Sequence, residues 1–159
     1  MTIEPSEAQR IRRLLDKWGS TIYFVSRKER EIAWAEEMIR DSYCTIGAHV
    51  ITGDKVTRSP ASSGVERAVE RVEERVAMYN ESIEMCQEAI KKAMHLKAAI
   101  DEIIDEFDQD TRDILRMRYV DRHQWAFIAL KMSYDERSVR RKELAAVERL
   151  SVFVRWNEV

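Results

Sequence analysis

The sequence predicts an all-α protein, and three observations predict it. Only four glycines and two prolines occur in 159 residues, so helix breakers are scarce. Ala, Glu, Arg, Met, Ile and Leu, which lose little on entering a helix, are plentiful. From Val65 to Phe107 apolar residues recur in alternating steps of four and three, the 3.5-residue repeat of a coiled-coil-like seam. A chain of this length buries a core without covalent staples. Cys44 and Cys86 lack CxxC spacing and neighbouring ligand residues, so they read as free thiols of a reducing compartment.

Taken in order, residues 6 to 18 place Ile11, Leu14, Leu15 and Trp18 on one face, which predicts an amphipathic helix ended near Gly19. Ser26 and Glu29 have the spacing of a capping box. They predict a second helix from about Arg27 to Tyr43 that buries Ile32, Ala35 and Ile39. Residues 1 to 43 therefore form one segment. Residues 44 to 64 hold three of the four glycines and one of the two prolines, which predicts a surface linker, with Ala48 to Thr52 able to form a short extended piece. Residues 65 to 108 follow as one long helix, ~65 Å at 1.5 Å per residue. Its seam is interrupted in polarity only at Lys97, and Met78, Met85 and Met94 read as core residues. A helix of that length needs a partner. The N-terminal helices are expected to pack on this rod but are too short to cover it, so Val69, Val72, Val76, Tyr79, Ile83 and Ile90 are the candidate oligomerisation residues of a homo-oligomer.

The last segment, 110 to 159, reads as three helices. Asp110 caps the first, whose apolar face is Ile114, Leu115, Met117 and Tyr119, and DRHQ breaks it. WAFIALKM forms the second, with Trp125, Ile128, Ala129 and Met132 inward, and Ala129 small enough for close helix approach. After the turn SY, Asp135 caps a final helix whose buried stripe is Val139, Ala146 and Leu150. A short helix, a tight turn and a longer helix have the proportions of a helix-turn-helix. The exposed residues opening the second helix of such a motif are Glu136, Arg137, Arg140 and Arg141. Arginine can pair with phosphates or guanine edges, and a glutamate can accept from a cytosine amino group. Lys131 and Arg122 join them as candidate DNA-binding residues.

Charge supports that assignment. The formal net charge is only -2, yet Asp101, Glu102, Asp105, Glu106, Asp108 and Asp110 fall in one run without a basic residue. From Thr111 onward there are eleven Lys and Arg against seven Asp and Glu, a balance of +4. The basic footprint is thus local, as a nucleic-acid-binding domain requires. In the acidic run, Asp101, Asp105 and Asp108 read as the solvated side of the long helix, a side that would hold the rod away from a duplex.

The span from Arg112 to Leu150 resembles the fourth region of bacterial sigma factors. Within that group it is similar to small phage transcriptional regulators of the RinA and ArpU type. The matching residues are Ile114 and Leu115, Arg118 to Val120, Trp125 to Ala129, Met132 to Val139, and Arg149 with Leu150. Upstream, SPASSGVERAVERVEERV has the Ser-rich loop and long helix of that family. Phe127, Asp135, Ser138 and Lys142 depart from its pattern. The resemblance implies activation of phage late or packaging genes from a promoter-proximal DNA site, inside a bacterial host cell, with RNA polymerase as a candidate partner.

Other classes find less support. His49, His95 and His123 lie on different elements without HExxH or CxxH neighbours, and no GxxxxGK[ST] or GxGxxG loop occurs. No enzyme activity, metal or cofactor is expected. No apolar run approaches the ~18 residues of a membrane span, and no signal segment opens the chain, so a soluble cytoplasmic protein without a membrane partner is expected. The alternatives to a regulator are a DNA-packaging component resembling a phage small terminase subunit, and a polymerase-binding adaptor without DNA contact.

Overall fold

The structure, a computed structural model, describes residues 4 to 51 and 62 to 157. Among these residues every element is helical: α1 Pro5–Ile51, α2 Ser62–Ile104, α3 Gln109–Leu115, a π-helical turn Arg116–Val120, α4 Trp125–Met132 and α5 Glu136–Asn157. The all-α class holds, and the long helix carrying the heptad seam is α2.

One expected break does not occur. The helices predicted to either side of Gly19 are a single α1, so neither Gly19 nor Ser26 interrupts it. Gly19 serves another purpose. A Cβ there would collide with the backbone carbonyl of Tyr119, so the glycine is a notch that admits a second backbone against the helix. The Ser26 carbonyl accepts from Arg30 Nε at 3.3 Å, continuing the helix surface where a cap was expected. Helix α1 also runs through 48 to 51, which replaces the extended piece foreseen there, and the helix resumes at Ser62. The rest of the expected linker, 52 to 61, lies outside the described residues.

The chain forms two compact units that differ from the four segments read from the sequence. One unites Met1–Phe24 with Lys92–Val159; the other is Val25–Lys91. Both long helices contribute to both units, which is why linear segmentation misses the division.

In the first unit, α1 lays Ala8, Ile11, Leu15 and Trp18 against Ile100, Ile103 and Ile104 of α2, Leu115 and Tyr119, and Ala146, Val147 and Leu150 of α5. Full burial of each large aliphatic side chain is worth ~1.5–3 kcal/mol relative to exposure. The Trp18 indole N–H donates to Asp101 Oδ1 at 2.7 Å, which satisfies its polar edge. Asp101 also receives Lys97 Nζ at 2.5 Å. Lys97, the one polar break in the seam, and Asp101, assigned to the solvated side, are therefore engaged with each other.

The second unit is thinner. Among its described residues only Ala35, Val76 and Cys86 are buried apolar side chains, and Ser42 is buried with its hydroxyl on the Met38 carbonyl at 2.7 Å. The Trp34 and Tyr79 rings meet edge to face at 5.7 Å. Cys86 Sγ lies 3.6 Å from Glu31 Oε2, and burial pushes its thiol above the ordinary cysteine value. Val69, Val72, Tyr79, Ile83 and Ile90 are only partly covered. Met78 and Met85 are 70% and 68% exposed, and Met94, in the first unit, is 44% exposed, so these three methionines are surface residues and not core. Their positions fall outside the alternating steps of the seam.

Candidate nucleic-acid interface

The approach to α3 differs from expectation in its cap. Asp108, extended at φ -60° and ψ 154°, accepts from the Thr111 N–H at 3.3 Å and from its hydroxyl at 2.5 Å. These bonds hold the Asp108 carboxyl below its usual range, helped by Lys142 Nζ at 3.1 Å. Asp110, the expected cap, sits inside the first turn and accepts from the Tyr134 hydroxyl. Asp108 is exposed, as expected, but it stands beyond the end of α2 and caps α3, so it does not belong to the long helix. Among the described acids of that run, Glu106 likewise takes Arg149 at 2.5 Å.

Past α3, the π-turn widens the helix and Arg122 adopts a left-handed φ of 61°, which makes the break read from DRHQ. Helix α4 then spans the predicted residues, Trp125–Met132. Ser133 ends it in the left-handed region at φ 57°, ψ 36°, a conformation that costs a residue with a Cβ. The Tyr134 N–H donates back to the Ala129 carbonyl at 3.0 Å. Asp135 caps α5 as expected: its carboxylate accepts from the Ser138 N–H at 2.9 Å and hydroxyl at 2.6 Å, and these bonds lower its pKa. A small core of Ile114, Met117, Ile128, Ala129 and Val139, flanked by Trp125 and Met132, clamps α3, α4 and α5 together. Every buried member, Met117 of the π-turn included, stands on an apolar face read from the sequence.

On this frame Glu136, Arg137, Arg140, Arg141, Lys131 and Arg122 are all exposed. Glu136 Oε1 holds Arg140 at 2.6 Å across one turn, so its present partner is a neighbouring arginine. Arg122 pairs with Asp16 of α1 at 2.6 Å. Arg137 and Lys131 make no ion pair with another described residue, and the Arg141 charge acts on Asp135. Lys142, which departs from the family pattern, is half-buried against Asp108, and that carboxylate raises its pKa. Phe127, another of the four departures, is 46% exposed and stacks obliquely on His123 at 4.3 Å.

Sequence reasoning missed the residue at the centre of the unit. Glu143 is 1% exposed, within the stripe of Val139, Ala146 and Leu150. Arg12 grips it with both arms of its guanidinium, Nε to Oε1 at 2.8 Å and one terminal nitrogen to Oε2 at 2.9 Å, and the Tyr119 hydroxyl donates to Oε1 at 2.7 Å. Burial, then the Glu143 charge, raises the Tyr119 pKa, and the bond to Glu143 raises that of Arg12. The triad ties α1, the π-turn and α5 together at positions 12, 119 and 143. The available signal was a glutamate at a core register of α5.

Beside this triad lies a cleft of about 500 Å³ lined by Arg12, Asp16, Arg118, Arg122, Trp125 and Arg140, among others. Of the candidate DNA-binding residues it gathers Arg122 and Arg140; Glu136, Arg137, Arg141 and Lys131 are not in its lining. Arg118 and Arg12 were not among the sequence candidates. Arg118 lies 4.7 Å and Arg140 5.7 Å from the Trp125 ring.

No helix among the described residues is long and apolar enough to cross a membrane. No curated protein and no solved structure matches the chain. A family model does: residues 7–151 match the family described as a protein of unknown function (DUF722), and this span, which takes in both long helices and the helix-turn-helix proportions of the C-terminal segment, makes the chain a member of that family.

Proposed function

We propose that the protein binds duplex DNA through the opening turns of α5 and acts as a transcriptional regulator of the phage type that the sequence resembles. The observation that carries this reading is the exposed arginine face of Arg137, Arg140 and Arg141 directly after a three-residue turn, on a helix whose opposite face is fixed by Val139, Glu143 and Val147. A rigid helix presenting guanidinium groups from consecutive turns has the geometry and chemistry to meet phosphates and guanine edges. A second copy of the chain is the natural partner for α2. Its seam residues Val69, Val72, Tyr79, Ile83 and Ile90 are only partly covered within one chain, which favours a homo-oligomer that sets the spacing of two recognition helices.

The test is fluorescence anisotropy on labelled duplex across a salt series, comparing the native chain with an Arg137→Ala, Arg140→Ala, Arg141→Ala variant of verified helicity. Each phosphate that the variant no longer neutralises should lower the slope of log affinity against log salt by about 0.9. Equal binding by both proteins, or binding by neither, would sink the reading. Sedimentation of the native chain addresses the packaging alternative, because a dimer or tetramer agrees with regulation and a large ring with DNA packaging.

A further inference from the structure

The cleft beside Glu143 is short of negative charge. Four arginines line it, Arg12, Arg118, Arg122 and Arg140, against two acids, Asp16 and Glu143. Both acids are already engaged. Glu143 accepts three hydrogen bonds from Arg12 and Tyr119, and Asp16 Oδ1 holds Arg122 at 2.6 Å. Arg140 has Glu136.

That leaves Arg118. It is half-buried, its guanidinium donates to the His123 carbonyl at 3.0 Å, and it lies over the Trp125 ring. No carboxylate among the described residues forms an ion pair with it. A carbonyl and an aromatic face stabilise a guanidinium only in part, so a partly desolvated charge of this kind favours an anion. The concave setting focuses that attraction. With Glu136 counted as the partner of Arg140, one uncompensated positive charge remains in the lining, that of Arg118, and a phosphate group can meet its guanidinium with two oxygens at once. Its volume of about 500 Å³ lies within the range of small-molecule sites.

We propose that this cleft binds a phosphate group, with Arg118 as its main anchor and with Arg122 and Arg140 at its rim. The phosphate can belong to duplex DNA or to a free phosphate ester of nucleotide size, since the two present the same oxygens. The site does not depend on the DNA reading above: it is carried by Arg118 and by the wall that Arg12 builds, and neither residue is assigned to DNA. A chain that fails to bind duplex would still bind the phosphate.

The test is isothermal titration of the full chain with inorganic pyrophosphate. The native protein is expected to bind it in the submillimolar range, and Arg118→Gln to weaken binding by about tenfold or more. Arg149→Gln removes an equal charge outside the cleft, where Arg149 pairs with Glu106, and should bind as the native chain does. Circular dichroism verifies folding, and Arg122→Gln at the exposed rim replaces Arg118→Gln if the latter does not fold. Competition by a short duplex assigns the phosphate to DNA; simultaneous binding assigns it to a free ester. No pyrophosphate binding by the native chain overturns the proposal, as does equal weakening in the cleft variant and Arg149→Gln.

Discussion

The two units of this protein solve the problem of burying a helix face differently. In the unit of Met1–Phe24 and Lys92–Val159, segments from both ends of the chain close over a core of aliphatic residues and lock it with the Arg12–Glu143–Tyr119 triad. In Val25–Lys91, the described residues bury only Ala35, Val76, Cys86 and Ser42, and the rest of the seam is half-covered. The difference is one of layers. Each helix of the first unit meets neighbours on more than one side, whereas a heptad stripe covered on one side leaves its flanks in water. Stability in the first unit is therefore set by single buried groups, and in the second by many weak contacts that a further helix would reinforce.

The most severe way to probe that contrast is Glu143→Ala. It strands the Tyr119 hydroxyl and leaves the partly exposed Arg12 to water, and a loss of about 3 kcal/mol is expected by chemical denaturation. In the native chain the helicity of Val25–Lys91 should melt before that of the first unit, and Glu143→Ala should narrow that gap; one cooperative transition of the native chain would erase the contrast. Gly19→Ala comes next, at about 1–3 kcal/mol, because its methyl group must displace the Tyr119 backbone. In the second unit Val76→Ala removes two buried methyl groups, for about 1.5 kcal/mol. The melting temperature of native and variant, followed over protein concentration, tests the seam directly: a native melting temperature that rises with concentration indicates a second copy, and an invariant one excludes it.

The smallest effects belong to caps. Asp108→Ala should cost about 1 kcal/mol. Acid titration checks the same bonds together with those at Asp135. Both carboxyls are held below the ordinary 3.8, so their contribution is complete above that pH and is lost as pH falls through the lowered values. The stability gap between the native chain and an Asp108→Asn, Asp135→Asn variant should thus be constant at neutral pH and close below about pH 3.8. A gap that persists there would mean the caps act through something other than charge.

Much of the second half was legible in local sequence. WAFIALKM and the Asp135 cap give α4 and the start of α5 at their observed positions, because an apolar stripe, a capping aspartate and a short turn act within a few residues. Gly19 was misread for the opposite reason. A glycine in a helical pattern is ambiguous between a stop and a notch, and only Tyr119, a hundred residues away, decides between them. Asp108 and Asp110 both stand where a cap can form, and Thr111 at the third position selects the former. The phosphate cleft was illegible because Arg12, Arg118 and Arg140 belong to three separate elements. No local pattern unites residues that only the tertiary fold brings side by side.

The bond between Arg12 and Glu143 spans 131 positions of sequence. On a ribosome adding about 5–20 residues per second, the stripe of Ile11, Leu15 and Trp18 emerges roughly ten seconds before the residues that will cover it. For that interval the nascent chain displays an uncovered apolar helix face, and the first unit can close only after Leu150 has emerged. The order of manufacture makes Ile11, Leu15 and Trp18 wait for Ala146, Val147 and Leu150.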